Sequence, residues 1–278
     1  MPDVVVDPQI RATMNPYTDE FFAGHLEGSR RSARLIVPLI VDLVRPRRVV
    51  DVGCGRGTWL AVFRDHGAEE ILGIDGEYVD RQHLEIAAHE FVACDLSSPI
   101  AVDRRFDLVV SLEVAEHLPE GSADAFVEFL TRLAPVVLFS AAIPCQGGTN
   151  HVNEQWPDYW ASRFEHRGYR TYDYIRDRIW DNPDVECWYA QNILLFSSRY
   201  ISAPAEPAPF AAKPRWPALS RVHPRQFIGS IEYMRGLVRN GEAEIERLRT
   251  EIGRSSARRE DIDRPDKDCG TDTLPEKP

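Results

Sequence analysis

Short apolar runs alternate with stretches of helical periodicity between residues 48 and 197. Runs typical of buried strands occupy residues 48–53, 71–75, 91–95, 106–112, 136–143, 169–175 and 187–197. Helical patterns occupy residues 58–66, 79–89, 118–133 and 155–167. Strands that alternate with helices predict an α/β fold, with a mostly parallel sheet covered by helices on both faces. Upstream, residues 19–43 predict one or two helices that pack on this sheet.

The pattern changes after residue 200, where the rest of the chain holds nine of the 20 prolines. We therefore predict one domain over residues 1–200, followed by an appendage in three parts. These parts are a Pro/Ala-rich linker over 201–224, an amphipathic helix over 225–252 and a disordered tail over 253–278.

The predicted helix over 225–252 carries apolar residues at heptad spacing, with one position missing at Gly241. These residues are Phe227, Ile231, Met234, Val238, Ile245, Leu248 and Ile252. One interpretation is a short coiled coil or docking helix, which would serve a homo-oligomer or a partner protein. The other is a frayed helix on the domain surface, which the Asn240-Gly241 pair favours. The pattern leaves both open.

Charge and cysteine content narrow the function classes. The 278 residues have a formal net charge of −11, and the first 199 hold 31 acidic against 19 basic side chains. Such an acidic domain is a poor match to a phosphate backbone, so we expect no nucleic-acid partner. Five cysteines without a CxxC pair argue against structural zinc and disulfides, and fit a reducing compartment. No apolar stretch is long enough for a membrane span, so we expect a cytoplasmic protein without a membrane partner.

A glycine-rich turn follows the first predicted strand, in the pattern D-x-G-x-G-x-G from Asp51 to Gly57. Glycines at 53, 55 and 57 let the backbone approach a ligand closely. Asp75 ends the second predicted strand, where a carboxylate can accept hydrogen bonds from both hydroxyls of a ribose. Asp51 would repel a pyrophosphate but suits an ammonium group. A nucleoside that carries an amino acid therefore fits better than a dinucleotide.

Four segments together resemble the successive motifs of class I S-adenosylmethionine-dependent methyltransferases: VVDVGCGRGTWL, LGIDG, FVACDL and FDLVVSLEVAEHLP. They occur in the family's order, and the resemblance covers roughly residues 30–200. It implies a Rossmann-like, seven-stranded sheet with an antiparallel last strand and S-adenosylmethionine as the cofactor. Helices before the first strand often cover the cofactor in similar enzymes, which suggests a flap over residues 15–45. Plain helical packing explains these residues equally well.

The resemblance also implies which residues hold the cofactor. The turn would lie beneath its methionyl and ribose parts, Asp75 would hold the ribose, and Asp95 would face the adenine amino group. The full implied set is Asp51, Gly53, Cys54, Gly55, Gly57, Asp75, Gly76, Cys94, Asp95, Leu96, Leu112 and Glu113. Cys54 and Cys94 are also explained as small buried fillers without a reactive role.

The first candidate for the acceptor side is Glu113-Val-Ala-Glu116-His117. In a helical turn, positions i, i+3 and i+4 share one face, so two carboxylates and an imidazole could hold a divalent cation such as Mg²⁺. The E-x-x-E-H string resembles the metal-linked motif of ubiquinone-biosynthesis O-methyltransferases. His117 as a metal-free base and His117 as a packing residue are the alternatives.

The second candidate is the polar segment over residues 147–156, directly after the fifth predicted strand. Parallel-sheet enzymes bind ligands at the carboxyl ends of strands. Here His151 is the preferred base, with Glu154 to orient it. Asn150, Asn153 and Trp156 are candidate contacts to an acceptor, because amides bind hydroxyls and aromatic rings stack on sugar faces. A plain turn and helix cap at Asn150–Asn153 is the alternative.

The segment over 181–192 contributes a third candidate contact, Tyr189, which we place on the last strand facing away from Trp188. Together these features predict transfer of a methyl group to a hydroxyl of a small acceptor, such as a sugar, glycan precursor or secondary metabolite. Two alternatives remain: N- or C-methylation of a small metabolite, and a catalytically silent cofactor-binding subunit.

Overall fold

The computed structural model describes residues 19–98, 102–202 and 219–262, and their side chains from residue 27 to residue 252. Its strands are β1 (Arg48–Val52), β2 (Glu70–Asp75), β3 (Phe91–Ala93), β4 (Leu108–Leu112), β5 (Val136–Ser140), β6 (Arg170–Tyr172) and β7 (Leu194–Ser197). They form one sheet in the order β3-β2-β1-β4-β5-β7-β6. Only β7 is antiparallel to its neighbours β5 and β6. The predicted Rossmann-like, seven-stranded α/β fold is thereby confirmed.

The order of the strands reverses between β1 and β4, which are parallel neighbours. Open α/β sheets bind ligands at such a switch point, beyond the carboxyl ends of the strands. Here the segments that leave β1 and β4 begin with Gly53 and Glu113, respectively. The topology therefore brings the glycine-rich turn and the E-x-x-E-H segment to the same edge.

The helices are α1 (Asp19–Val44), α2 (Thr58–Asp65), α3 (Ala123–Leu133), α4 (Pro157–Glu165), α5 (Arg176–Ile179), α6 (Cys187–Asn192) and α7 (Pro224–Ile262). Successive strand residues point to opposite faces, and both faces are buried. Val49 lies in a core layer with Ile36 of α1 and Phe63 of α2. Val50 lies in the other layer, with Phe126 of α3 and Phe164 of α4. Burial on both faces explains why the strands appear in the sequence as continuous apolar runs.

Two predicted elements are wrong. Residues 79–89 do not form a helix but hold two short 3₁₀ turns, Arg81–His83 and Ala88–Glu90. Residues 187–197 are not one strand, because α6 precedes the four-residue β7. Trp188, Tyr189 and Gln191 are therefore helical and do not alternate across a sheet.

The chain divides into two compact units, residues 1–227 and 228–278. The first contains the sheet and also the segment that enters α7. The fully buried side chain of Arg176 donates to the carbonyl oxygen of Leu219, and Arg221 pairs with Asp173 at 2.9 Å. Residues 219–227 are therefore fastened to the part of the unit that contains the sheet, and we call them the strap.

The second unit is the helix α7 beyond residue 227, which continues to Ile262, ten residues past the predicted end. The predicted disordered tail is thus helical in its first part, and its remainder lies outside the described residues. Most of the predicted linker, 203–218, also lies outside them. In the part of the chain that is described, no helix is both long and apolar enough to cross a bilayer.

Candidate active site

The glycine-rich turn leaves β1 with a backbone that only glycine adopts easily. Gly53 and Gly57 have φ angles of 86° and 83°, and a Cβ at Gly53 would lie 2.2 Å from Val114. At Gly55 no heavy atom lies within 4 Å of the position that a Cβ would take. The turn therefore leaves open space above Gly55, into which a ligand could fit, and we call this backbone surface the cradle.

Two buried carboxylates flank this cradle. Asp75 accepts hydrogen bonds from the backbone amides of Gly55 at 2.6 Å and Gly76 at 2.7 Å, and from the hydroxyl of Tyr78. Burial raises the pKa of Asp75, although these three donors oppose the shift. The pKa of Asp51 is raised well above its ordinary value by burial and by the charge of Asp75. A positively charged ligand would offset both effects.

The cradle fits the cofactor that the motifs imply. S-Adenosylmethionine carries an ammonium, a sulfonium and a ribose, and the carboxylates of Asp51 and Asp75 complement its positive charge and its hydroxyls. Tyr78 is mostly exposed, so its hydroxyl can give up its place on Asp75 to a ribose hydroxyl. Gly53, Gly55 and Gly57 would lie beneath the ligand.

The end of β3 forms the outer side of the cleft. The backbone amide of Cys94 donates to the carbonyl oxygen of Asp75 at 2.7 Å, which fixes the two strand ends side by side. The carboxylate of Asp95 is exposed and accepts hydrogen bonds from Ser97 and Ser98, which lower its pKa. Leu96 packs at the edge of the core. The predicted adenine contacts thus lie next to the predicted ribose contact.

Helix α1 closes one side of the turn. Arg30 pairs with Glu85 at 2.6 Å, and Glu85 also accepts a hydrogen bond from Thr58 at the start of α2. Ser29 accepts a hydrogen bond from Trp59 Nε1 at 3.0 Å. The described part of the predicted flap is therefore fastened to the segment that carries the cradle. Residues 15–18 of the predicted flap lie outside the described residues, as do its side chains before residue 27.

Tyr189 belongs to this side of the site. Its hydroxyl lies 3.3 Å from Ser29 Oγ, and its ring meets Trp59 edge to face at 5.2 Å. Burial raises its pKa to about 12. Because α6 replaces the predicted strand here, Tyr189 packs between α1 and α2. Its predicted role as an acceptor contact stays untested.

His151 and Glu154 form a hydrogen-bonded pair on the loop after β5, with 2.9 Å between Nδ1 and Oε1. The Glu154 carboxylate also accepts hydrogen bonds from the backbone amides of Cys145 at 2.7 Å and Gly147 at 2.9 Å. Because the carboxylate acts as an acceptor, Nδ1 of His151 carries the hydrogen and Nε2 presents a lone pair. A Cβ at Gly148 would lie 2.2 Å from that Nε2, so glycine makes room for the imidazole.

His151 also lies close to two side chains of the E-x-x-E-H segment, Glu116 and His117. The rings of His117 and His151 meet edge to face with 4.8 Å between centroids. Donor atoms of Glu116, His117 and His151 all lie within 4.8 Å of one another. The metal site predicted from the sequence consisted of Glu113, Glu116 and His117. In the structure His151, and not Glu113, lies close to the other two.

The Glu116 carboxylate is fully buried, and among the described residues no donor makes a well-directed hydrogen bond to either oxygen. Burial and the nearby charge of Glu113 raise its pKa well above the ordinary value. Burial also lowers the pKa of His117. The backbone N–H groups of Glu116 and Ala142 oppose this shift of the Glu116 pKa. A buried acid beside two imidazoles can accommodate a cation, whose charge would offset the cost of burial.

Glu113 has a different environment. Its φ of 55° places a non-glycine residue in the left-handed region, and its amide donates to Ser140 at the end of β5. Its carboxylate accepts hydrogen bonds from Gln146 at 2.8 Å and from Asn192 at 3.2 Å. Burial raises the pKa of Glu113, although these hydrogen bonds oppose the shift. Strained backbone held by such contacts is typical of functional sites.

The amide network around Glu113 contains residues that the sequence analysis missed. Gln146 accepts hydrogen bonds through its side chain from Gln191 at 3.1 Å and from Asn192 at 2.9 Å. Its backbone carbonyl accepts one from Gln226 of the strap at 2.7 Å. Nothing in the sequence indicated that a residue after the linker would reach this loop. The assignment of 187–197 to one strand hid the roles of Gln191 and Asn192.

The remaining predicted acceptor contacts lie on the same loop. Asn150 is exposed and has a φ of 58°, and Trp156 is 42% exposed. Asn153 is buried and accepts a hydrogen bond from Gln155. The backbone amides of Val152 and Asn153 donate to the carbonyl oxygen of Glu116 at 2.9 and 3.0 Å. These bonds attach the His151 loop to the E-x-x-E-H segment. The helix after the loop begins at Pro157, so Asn150–Asn153 do not cap it.

This sheet order, with a glycine cradle and an acidic residue at the end of β2, defines a class I S-adenosylmethionine-dependent methyltransferase. The sequence profile described as "Methyltransferase domain" matches residues 24–182, more than half of the chain, so the protein belongs to that family. The expectation of an S-adenosylmethionine-dependent methyltransferase is thereby confirmed.

Two curated relatives share short matches. A malonyl-[acyl-carrier protein] O-methyltransferase from Pseudescherichia vulneris is 33% identical over 91 residues, 32% of this chain and 36% of the relative. A ribosomal protein L11 methyltransferase from Thermosipho africanus (strain TCF52B) is 31% identical over 121 residues, 40% of this chain and 44% of the relative. This chain thus spans less than half the length of either.

Similar solved structures include two methyltransferases. Magnesium protoporphyrin IX methyltransferase from Synechocystis PCC 6803 superposes with a TM-score of 0.45 at 19% identity, over 62% of this chain and 84% of that one. An O-methyltransferase family protein from Burkholderia thailandensis superposes with a TM-score of 0.49 at 16% identity, over 71% and 63%.

Proposed function

We propose that this methyltransferase transfers the methyl group of S-adenosylmethionine to a hydroxyl of a small acceptor, with His151 as the base. The observation that carries the proposal is the His151–Glu154 pair on the loop after β5, beside the switch point of the sheet. When bound, the cofactor supplies a methyl group on a sulfonium, whose neutral thioether is the leaving group.

An aliphatic hydroxyl needs a base, because its oxygen attacks well only when its proton is removed. Nε2 of His151 takes that proton as the oxygen forms its bond to the methyl carbon and the carbon–sulfur bond breaks. The carboxylate of Glu154 stabilises the imidazolium that results. Two backbone amides hold Glu154 in turn, so the base keeps its orientation before the acceptor arrives.

The surroundings of the pair favour a polar, hydroxylated acceptor such as a sugar, a glycan precursor or a secondary metabolite. The amides of Gln146, Gln191 and Asn192 meet around Glu113, and such groups exchange hydrogen bonds with hydroxyls. The exposed ring of Trp156 on the same loop offers a face for an apolar side of a sugar. The relative from P. vulneris is named for O-methylation, which agrees with an oxygen acceptor.

A second candidate mechanism uses a divalent cation. The group of Glu116, His117 and His151 supports it, because their ligand atoms lie close together. A cation there would lower the pKa of a hydroxyl bound to it and make a separate base unnecessary. The bond from His151 Nδ1 to Glu154 suits this mechanism as well, because metal-binding histidines usually donate their other N–H to a carboxylate.

Release of S-adenosylhomocysteine over a panel of sugars and small metabolites, with Mg²⁺, with Mn²⁺ and with EDTA, tests the proposal. On a hydroxyl acceptor, His151→Ala should lower kcat by about 10²–10⁴-fold while cofactor binding stays unchanged. His166→Ala, which changes an exposed histidine after α4, is the matched control. Full turnover by His151→Ala would remove this residue from the mechanism. Turnover that requires added metal would favour the cation mechanism. Turnover of an amine acceptor that is unchanged in His151→Ala would indicate N-methylation.

A further inference from the structure

Helix α7 carries an apolar stripe that the described part of the chain leaves uncovered. From Ile231 to Ile252 every large apolar side chain on the helix is exposed, between 36% and 68%. Exposed apolar stripes of this length are unusual on a monomer. An isolated helix of this kind also draws little stability from its own hydrogen bonds and usually needs a packed face.

The stripe has the pattern of a coiled-coil seam over three heptads. The a positions are Ile231, Val238, Ile245 and Ile252, and the d positions are Met234, Gly241 and Leu248. All four a residues are β-branched. In parallel coiled coils, β-branched residues at a with leucine at d favour two strands, and Leu248 meets the second condition at one of the three d positions. Gly241 weakens one d layer, and the layers on both sides of it are intact.

Charges beside the seam also favour a second copy in parallel register. Glu244 occupies a g position, and Arg249 occupies the e position five residues later. In a parallel pair these two positions face each other across the interface, so Glu244 of one chain meets Arg249 of the other, twice. In an antiparallel pair centred on Glu242, e positions face each other and Arg235 would oppose Arg249. The sequence is therefore self-complementary in the parallel arrangement.

The rest of the helix surface is compatible with water. Within one chain Arg247 pairs with Glu244 and with Glu251, both at 2.6 Å, and these exposed pairs support the helix beside the seam. Large apolar residues thus gather at a and d, except for Tyr233 at c and Leu237 at g, and charges lie beside and opposite the seam.

From this arrangement we infer that residues 231–252 form a parallel, two-stranded coiled coil with a second copy of this chain. The occupant of the stripe is the same helix of another molecule, because the a, d, e and g positions complement themselves. This inference is independent of the acceptor and of the base, and it adds an association surface to the methyltransferase.

The mass of the full chain in solution tests the inference, measured by light scattering over a wide range of protein concentration. The wild type should have twice the chain mass of 31.6 kDa. The double variant Val238→Asp/Ile245→Asp places charges at two a positions and should be monomeric. Ala243→Asp/Thr250→Asp adds the same charges at the outer f positions and should remain dimeric. Circular dichroism and cofactor binding show whether each variant keeps its fold.

Orientation is tested by a disulfide. Leu248→Cys lies at a d position, so in a parallel pair the two new thiols meet and mild oxidation should join the chains beyond the level of the parent protein. Thr250→Cys, on the outer face, should not add such a product. A monomeric wild type, or a dimer that the two a-position aspartates leave intact, would overturn the inference. A dimer without the Leu248→Cys product would overturn the parallel register.

Discussion

The imidazole of His151 is hydrogen-bonded through Nδ1 to Oε1 of Glu154, 2.9 Å away, on the loop that follows the fifth strand. They lie three positions apart in sequence, and Glu154 is itself held by two amides of the same loop. The pair is thus preformed, and in the proposed mechanism Nε2 of His151 takes the proton of the acceptor.

Glu154→Gln should lower kcat by about 10–100-fold on a hydroxyl acceptor, with the KM for S-adenosylmethionine unchanged. The amide keeps the size of the side chain but removes the charge that stabilises the imidazolium. One of its ends also becomes a donor that faces a backbone N–H. Initial-rate kinetics measure the effect. Glu165→Gln, on an exposed residue of α4, is the control. Equal rates for both variants would mean that Glu154 only shapes the loop.

Asp75→Ala should weaken S-adenosylmethionine binding on the order of 100-fold or more, because two charge-assisted hydrogen bonds to the ribose are lost. Calorimetric titration with the cofactor measures the change. Asp65→Ala removes an exposed carboxylate at the end of α2 and should leave binding unchanged. Unaltered binding in Asp75→Ala would place the ribose elsewhere.

Cofactor affinity should rise with pH over the acidic range. Burial and Asp75 raise the pKa of Asp51, so at low pH the free protein holds a proton where the ammonium needs a carboxylate. Binding of the cation then lowers this pKa and releases the proton. The affinity should rise by up to about tenfold per pH unit below the pKa of the free protein and level off above it. Titrations in buffers of different ionisation enthalpy detect the proton. A pH-independent affinity would contradict this electrostatic role.

Glu116→Gln should stabilise the metal-free protein at neutral pH. Because the folded pKa is raised, stability falls as pH increases from the ordinary pKa of glutamate to that of the folded protein. The variant avoids this loss, so its advantage is absent at low pH and grows through that window. A gain of about 1 kcal/mol corresponds to roughly 2–4 °C in Tm for a domain of this size. Thermal unfolding at several pH values measures it.

The same variant separates the two candidate mechanisms. If a cation binds at Glu116, His117 and His151, Mg²⁺ or Mn²⁺ should raise the Tm of the wild type and leave that of Glu116→Gln unchanged. If His151 acts as a base without a metal, neither protein should respond. Glu120→Gln, an exposed acid on the next turn, serves as the control in both series.

Gln226→Ala should raise the acceptor KM with little effect on cofactor affinity. This residue of the strap donates to the carbonyl oxygen of Gln146, whose side chain in turn donates to Glu113. Loss of the bond frees the loop on the acceptor side. Glu232→Ala, exposed on the same helix, is the control. Steady-state kinetics with each substrate varied in turn distinguish the two constants.

The sequence was most informative where the chemistry is local. The glycines at 53, 55 and 57 lie within five consecutive residues, and they form the turn that their spacing predicted. The His151–Glu154 pair likewise lies within one loop. The buried strands were recognisable because burial on both faces leaves an unbroken apolar run.

Errors arose where tertiary contacts decide the structure. The Cys187–Asn192 segment has a strand-like composition but is helical, and its residue Tyr189 packs against Trp59, far away in the sequence. The regrouping of Glu116 with His151 depends on the bonds from Val152 and Asn153 to the Glu116 carbonyl, across more than 30 residues. The approach of Gln226 to Gln146 spans 80 residues, and no local pattern encodes it.

The central claim is that the methyl group is transferred to a hydroxyl oxygen, with His151 as the base. Turnover of an accepted substrate with S-adenosylmethionine labelled in the methyl group, followed by NMR of the product, locates the label directly. The account predicts a labelled methoxy group whose rate of formation falls by about 10²–10⁴-fold in His151→Ala and is unchanged in His166→Ala. A label on nitrogen or carbon, or a labelled methoxy group formed at the wild-type rate by His151→Ala, would contradict it.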